Sequence, residues 1–161
     1  MASRSLALLV KLEVVPEQSL IVNELIKKAD IHPLLYTTKE DHHYTAIFAS
    51  KYERLPEKKF SRAFHNKAKV KAVTILGGDA IVCLLDDPES FLLHNQQILA
   101  MEFGAVSDYP IYTPHVTIGY TAKDCPSSLQ SFAIEMLHRL TNAFQGFEFH
   151  FNLQKFGWFE K

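Results

Sequence analysis

The sequence predicts an α+β fold in which antiparallel or mixed sheet is covered by helices on one face and left open as a cleft on the other. Three observations lead there. Short apolar, β-branched segments alternate with segments whose apolar residues recur at the 3.6 period. Two of the short segments flank Gly77-Gly78-Asp79 as the arms of a hairpin would. The order strand, helix, strand occurs twice without a strict sequence repeat, which permits a pseudo-duplicated pair of lobes. The 161 residues suit one domain, 1–161, built from two small, closely packed lobes. Apolar residues at 47% and charged residues at 22% exclude disordered, collagen-like and low-complexity classes and leave enough side chains for a real core.

Leu6 to Val14 is rich in apolar residues and precedes Pro16, so it reads as a first strand. From Pro16 to Ala29, Leu20, Ile21, Leu25 and Ile26 fall at helical spacing, with Pro16 suited to the first turn. His43 to Ala49 is the second strand, and Val70–Leu76 with Ala80–Leu85 form the hairpin. Asp87 and Pro88 open a helix running to about Phe103, with Phe91, Leu92, Ile98, Leu99 and Phe103 inward. His115 to Tyr120 is another strand. Leu129, Phe132, Ala133, Met136, Leu137 and Leu140 mark an amphipathic helix, for which Ser127 and Gln130 have capping-box spacing. Phe147, Phe149 and Phe151 alternate with Glu148, His150 and Asn152, the period of a half-buried strand whose phenylalanines face the helices. A last apolar run ends at Trp158 and Phe159.

Several function classes are set aside by composition. No apolar run approaches the roughly 20 residues that cross a bilayer, and the first residues reach Glu13 without a small-residue cleavage site. The expectation is a cytoplasmic protein with no membrane partner. A formal charge of -1 argues against broad binding to duplex nucleic acid, where counterion release favours a basic surface. Cys83 and Cys125 are too few for a disulfide framework and read as reduced thiols. His32, His65, His94, His138 and His150 show no metal-ligand spacing, so neither metal nor cofactor is expected. Gly77-Gly78 fits a turn rather than a phosphate loop, and no Gly-x-Ser-x-Gly elbow is present.

The chemistry-bearing signal is a duplicated unit. His43-Tyr44-Thr45 and His115-Val116-Thr117 each begin a predicted strand, whereas chance placement of eight histidines and eight threonines gives roughly 0.4 such spacings. Residues two apart in a strand share a face, so each unit presents an imidazole beside a hydroxyl. In-line displacement at a phosphodiester needs a base on the attacking oxygen and an acid on the departing one, on opposite sides of phosphorus. One histidine from each unit meets that need, because an imidazole titrates near neutral pH. The threonine hydroxyls can donate to non-bridging phosphate oxygens, where charge grows. No metal is required.

These two motifs, and especially the phrase Thr113-Pro114-His115-Val116-Thr117-Ile118-Gly119-Tyr120, resemble those of the 2H phosphoesterases. The resemblance implies a two-lobed, pseudo-symmetric α+β fold with sheets around a central cleft and helices outside. It makes His43 and His115 the catalytic pair and Thr45 and Thr117 the phosphate donors. His42 is expected on the opposite face. Within the family, the chain's size, its second-motif context and its aromatic end are similar to the phage anti-CBASS nucleases, which degrade the cyclic oligonucleotides used as bacterial immune signals. The implied activity is cleavage of 3'-5' linkages in cyclic di- and trinucleotides, and the implied setting is a host cytoplasm. Other members act on RNA ends carrying 2',3'-cyclic phosphates or on 2'-5' oligoadenylate, which are alternative substrates here. A non-catalytic nucleotide-binding module is the alternative from a different class.

From Lys51 to Lys71, eight cations stand against Glu53 and Glu57, a net +6 that suits a short phosphate-bearing ligand or marks a solvated loop or helix. Trp158, the only tryptophan and a possible counterpart of the subgroup's C-terminal tryptophan, is a candidate to stack on a base, with core packing as the competing role. Tyr112, three residues before His115, and Lys11, on the polar side of the first strand, are candidates for the substrate entrance.

Overall fold

A computed structural model of the chain describes residues 6–30, 37–38, 42–52, 67–77, 79–103, 107, 112–121, 133–152 and 156–160. In chain order the elements are β1 (Leu6–Val14), α1 (Pro16–Lys28), β2 (Thr37–Thr38), β3 (His43–Tyr52), β4 (Lys67–Leu76) and β5 (Ala80–Leu85). They continue with α2 (Phe91–Phe103), β6 (His115–Tyr120), α3 (Ala133–Ala143), β7 (Glu148–Asn152) and β8 (Phe156–Glu160).

Six of the strands close on one another. β1 pairs with β3, β3 with β6, β6 with β5, β5 with β4, β4 with β7 and β7 with β1, every pair antiparallel. β2 adds to β6, and β8 to β1. The result is a closed antiparallel barrel with three described helices, and it overturns the expected two-lobed, pseudo-symmetric fold with sheets around a central cleft. β3 and β6, which carry one motif each, are hydrogen-bonded neighbours in one wall. Closure removes edges, and with them the rows of unpaired N–H and C=O groups that an open sheet would leave.

Two of the register shifts in this wall are β-bulges beside the His-x-Thr units. Between β1 and β3 the register passes from Lys11↔Thr45 to Val10↔Ile47, so Ala46 is the extra residue. Between β5 and β6 it passes from Val82↔Thr117 to Ile81↔Gly119, so Ile118 is extra. A bulge shifts the alternation of a strand by one position. That is why Tyr44 and Ala46, and then Ile47 and Ala49, are all buried on β3. Each bulge directly follows the threonine of a His-x-Thr unit.

The core is continuous from strands to helices. Leu12, Tyr44, Val116, Ile118, Phe149 and Phe151 are buried with Val22 and Ile26 of α1, Leu92 of α2, and Met136 and Leu140 of α3. Aromatic rings run as a ladder from the end of α3 into the barrel: Phe144–Phe147 at 5.9 Å, Phe147–Phe149 at 4.9 Å, Phe149–Phe151 at 6.1 Å and Tyr44–Phe151 at 5.3 Å between centroids. Phe149 is fully buried in the middle of this ladder. Phe149→Ala is expected to cost about 3 to 5 kcal/mol, read as a shift of the urea midpoint; a loss under about 1 kcal/mol would contradict its place in the core.

The helices follow local chemistry. Pro16 occupies the first turn of α1, Glu17 lies near its N-terminus, and Lys27 and Lys28 lie near its C-terminus, each charge complementing the helix dipole. Asp30, at φ 51°, takes the left-handed conformation just beyond the end. α2 starts at Phe91 rather than at Pro88, because Ser90 is also left-handed, at φ 58°. Asp87 still caps it, its carboxylate accepting from the backbone N–H groups of Leu92 and Leu93 at 3.1 Å. The later start leaves Phe91 exposed rather than inward. α3 docks on β4 through the Thr141 hydroxyl, which accepts from the Val73 N–H at 3.0 Å. The expected beginning of that helix, with Leu129, Phe132 and the Ser127–Gln130 cap, lies outside the described residues. Among the described residues, no helix is long and apolar enough to cross a membrane.

Candidate active site

Tyr44 and Val116 pair directly across β3 and β6. Continuing that antiparallel register places His43 opposite Thr117 and Thr45 opposite His115. The two His-x-Thr units are therefore side by side and head to tail, related by a local twofold at the Tyr44–Val116 pair. Tyr44, Val116, Ala46 and Ile118 point into the core at 0% exposure, whereas His43, Thr45, His115 and Thr117 are half-buried on the other face. His43 and His115 are diagonal neighbours, a relation that separates backbones by about 7 to 8 Å and lets long side chains approach one group from two directions.

The His115 ring is oriented by its own strand entry. Its Nδ1 lies 2.7 Å from the carbonyl oxygen of Thr113, which can only accept. The proton of the neutral ring therefore sits on Nδ1, and Nε2 carries the lone pair. On the partner unit the Nδ1 atom of His43 is buried. His42 turns the opposite way, as alternation requires: it is 3% exposed, and its Nδ1 is 3.2 Å from the Ser19 hydroxyl of α1.

The flanking strands make the two units unlike. On the β1 side, Glu13 is opposite His43 and Lys11 is opposite Thr45. On the β5 side, Leu84 is opposite His115 and Val82 is opposite Thr117. Lys11 thus occupies a register position on the face that carries the first motif, although its side chain lies outside the described residues. Trp158 pairs with Leu8 in the β1–β8 ladder, away from both motifs along β1, and its side chain is likewise outside the described residues. Of the basic stretch, Lys67, Lys69 and Lys71 are exposed along β4; residues 53–66 are not described.

Tyr112 has its hydroxyl turned inward. It donates to the Tyr44 hydroxyl at 2.6 Å, with the Thr45 carbonyl oxygen as a second, longer acceptor at 3.3 Å. Tyr44 also hydrogen-bonds Asn95 of α2, which is 5% exposed. Burial pushes both phenols up from their ordinary value, so both remain protonated donors across the physiological range. Sequence reasoning missed Asn95 and the Thr113 carbonyl. The signal for Asn95 was present: it stands three residues after Leu92 on the apolar side of α2. A backbone carbonyl leaves no trace in side-chain patterns. Among the described residues, no three His, Cys, Asp or Glu side chains gather as a metal-ligand group.

Residues 7–142 match the family described as anti-CBASS protein Acb1, and the chain belongs to that family. No curated protein matches it. Among solved structures, Usb1 of Kluyveromyces marxianus is similar at 14% identity over 92% of each chain, with a TM-score of 0.45.

Proposed function

We propose that this protein is a phosphodiesterase that cleaves 3'-5' linkages in cyclic di- and trinucleotide immune signals, with His43 and His115 as its acid–base pair. Membership of an anti-CBASS family supports the substrate class. The observation that carries the chemistry is the Tyr44–Val116 pairing, which sets two imidazoles and two hydroxyls on one face.

In the proposed reaction one imidazole takes the proton of the ribose 2'-OH through Nε2. The 2' oxygen bonds to phosphorus, the bond to the 5' oxygen breaks, and the second, protonated imidazole gives its proton to that leaving oxygen. Thr45 and Thr117 donate to the non-bridging oxygens as their charge grows. The product is a ring-opened chain with a 2',3'-cyclic phosphate and a free 5'-OH. When water then opens the cyclic phosphate, the histidines exchange roles. Both proton transfers are met by side chains, so the scheme calls on no metal.

The test is incubation of the protein with a panel of cyclic dinucleotides and trinucleotides, with and without chelator. Ring opening by the 2'-OH conserves mass, so chromatography must accompany mass detection. Cyclic substrates are expected to convert to 2',3'-cyclic phosphate products at the same rate with chelator present. Conversion only of RNA 2',3'-cyclic termini or 2'-5' oligoadenylate would move the substrate class. Tight binding without turnover would indicate a binding module, and loss of activity on chelation would indicate a metal enzyme.

A further inference from the structure

The segment entering β6 is fixed at three points. The Tyr112 hydroxyl is bonded to Tyr44 and to the Thr45 carbonyl, the Thr113 carbonyl accepts from His115, and the Pro114 carbonyl accepts from the Leu85 N–H at 3.0 Å. The first contact differs from the others because it joins the two His-x-Thr units: Tyr44 is the middle residue of one, and Tyr112 leads into the other. The bulge at Ala46 interrupts the β1–β3 ladder beside Thr45, and the Thr45 carbonyl finds the Tyr112 hydroxyl there. Asn95 ties the same tyrosine pair to α2, whose first turn is capped by Asp87.

We infer that Tyr112 is a positioning residue, which through its hydroxyl on Tyr44 holds the Thr113 carbonyl where it fixes the tautomer and aim of the His115 ring. The inference rests on the acid–base role proposed for His115. A buried phenol pair with no charged member is suited to this work, since it keeps one geometry at every pH at which a histidine titrates. Tyr112 lies behind the reacting face and needs no contact with substrate.

Tyr112→Phe keeps the ring in the core and removes only the oxygen. Its expected effect is a 10- to 100-fold fall in kcat with KM within about twofold, the pattern of a misaimed catalytic group. In nitrogen-15 NMR, the His115 Nδ1–H resonance is expected to broaden or shift relative to the wild type while the fold persists by circular dichroism. Tyr44→Phe is expected to reproduce both effects, and the double variant to add little to either. Wild-type kcat with an unmoved His115 resonance in both single variants overturns the inference. A rise in KM alone also overturns it, by making Tyr112 a substrate contact. The NMR arm needs no turnover, so a protein lacking nuclease activity would defeat the proposed reaction while still reporting whether Tyr112 orients His115.

Discussion

His115→Ala is expected to lower turnover of a cyclic oligonucleotide by about 10² or more, and His43→Ala to do the same, with the fold preserved in both. The size follows from what each ring is asked to do. In the proposed reaction one transfer activates a weak nucleophile and the other discharges a poor leaving group, and general acid–base catalysis typically contributes about 10² to 10⁴ per group. Preservation of the fold follows from the alternation of the strands. The residues that anchor β3 and β6 are Tyr44, Ala46, Val116 and Ile118, all fully buried, whereas the two histidines project from the opposite, half-buried face. The double variant is expected to fall short of the product of the single losses, because groups that serve one transition state act as a unit. Near-wild-type turnover in both single variants, by product assay at saturating substrate, would remove the mechanism; a collapse of the unfolding midpoint in either would show that the histidines are structural.

The sequence was most readable where a local pattern determines the outcome. β1, α1, β6 and the β4–β5 hairpin form where periodicity and turn residues place them, and Phe149 and Phe151 are buried as their alternation requires. The same alternation set His43 with Thr45 and His115 with Thr117 on shared faces, with His42 opposed to them. What the pattern could not carry is partner choice. Any apolar strand can pair with any other, so nothing local distinguished a closed ring from two lobes around a cleft. The bulges at Ala46 and Ile118 were equally hidden, since each arises from the difference between two strands and not from either alone. The start of α2 was misplaced for a different reason: Pro88 is a good first-turn residue, but Ser90 adopts the left-handed region and delays the helix to Phe91. The direction in which the Tyr112 hydroxyl turns was hidden as well, because nearness to His115 in sequence does not determine it.

A cyclic dinucleotide carrying 2'-deoxyribose at both positions is expected to bind with a Kd within roughly thirtyfold of the ribose ligand and to give no detectable product in the time that consumes the ribose form. The binding side of this expectation rests on magnitude. Removing a hydroxyl costs on the order of 1 kcal/mol when its hydrogen bond is exchanged for one with water, so the two together weaken binding by roughly thirtyfold at most. The chemical side is all or none, because the deleted oxygen is the nucleophile of the proposed reaction. Titration followed by product analysis on the same samples separates the two effects. If the deoxy ligand were instead cleaved quickly, the product would be heavier than the substrate by one water from the first step, and the 2'-OH would be excluded as the attacking group. The paired imidazoles would then have to serve a water molecule: one would activate it and the other would still protonate the 5' oxygen. The distinction therefore tests the identity of the nucleophile without altering a single protein atom, and leaves the acid–base pairing across β3 and β6 to be judged separately by the histidine variants.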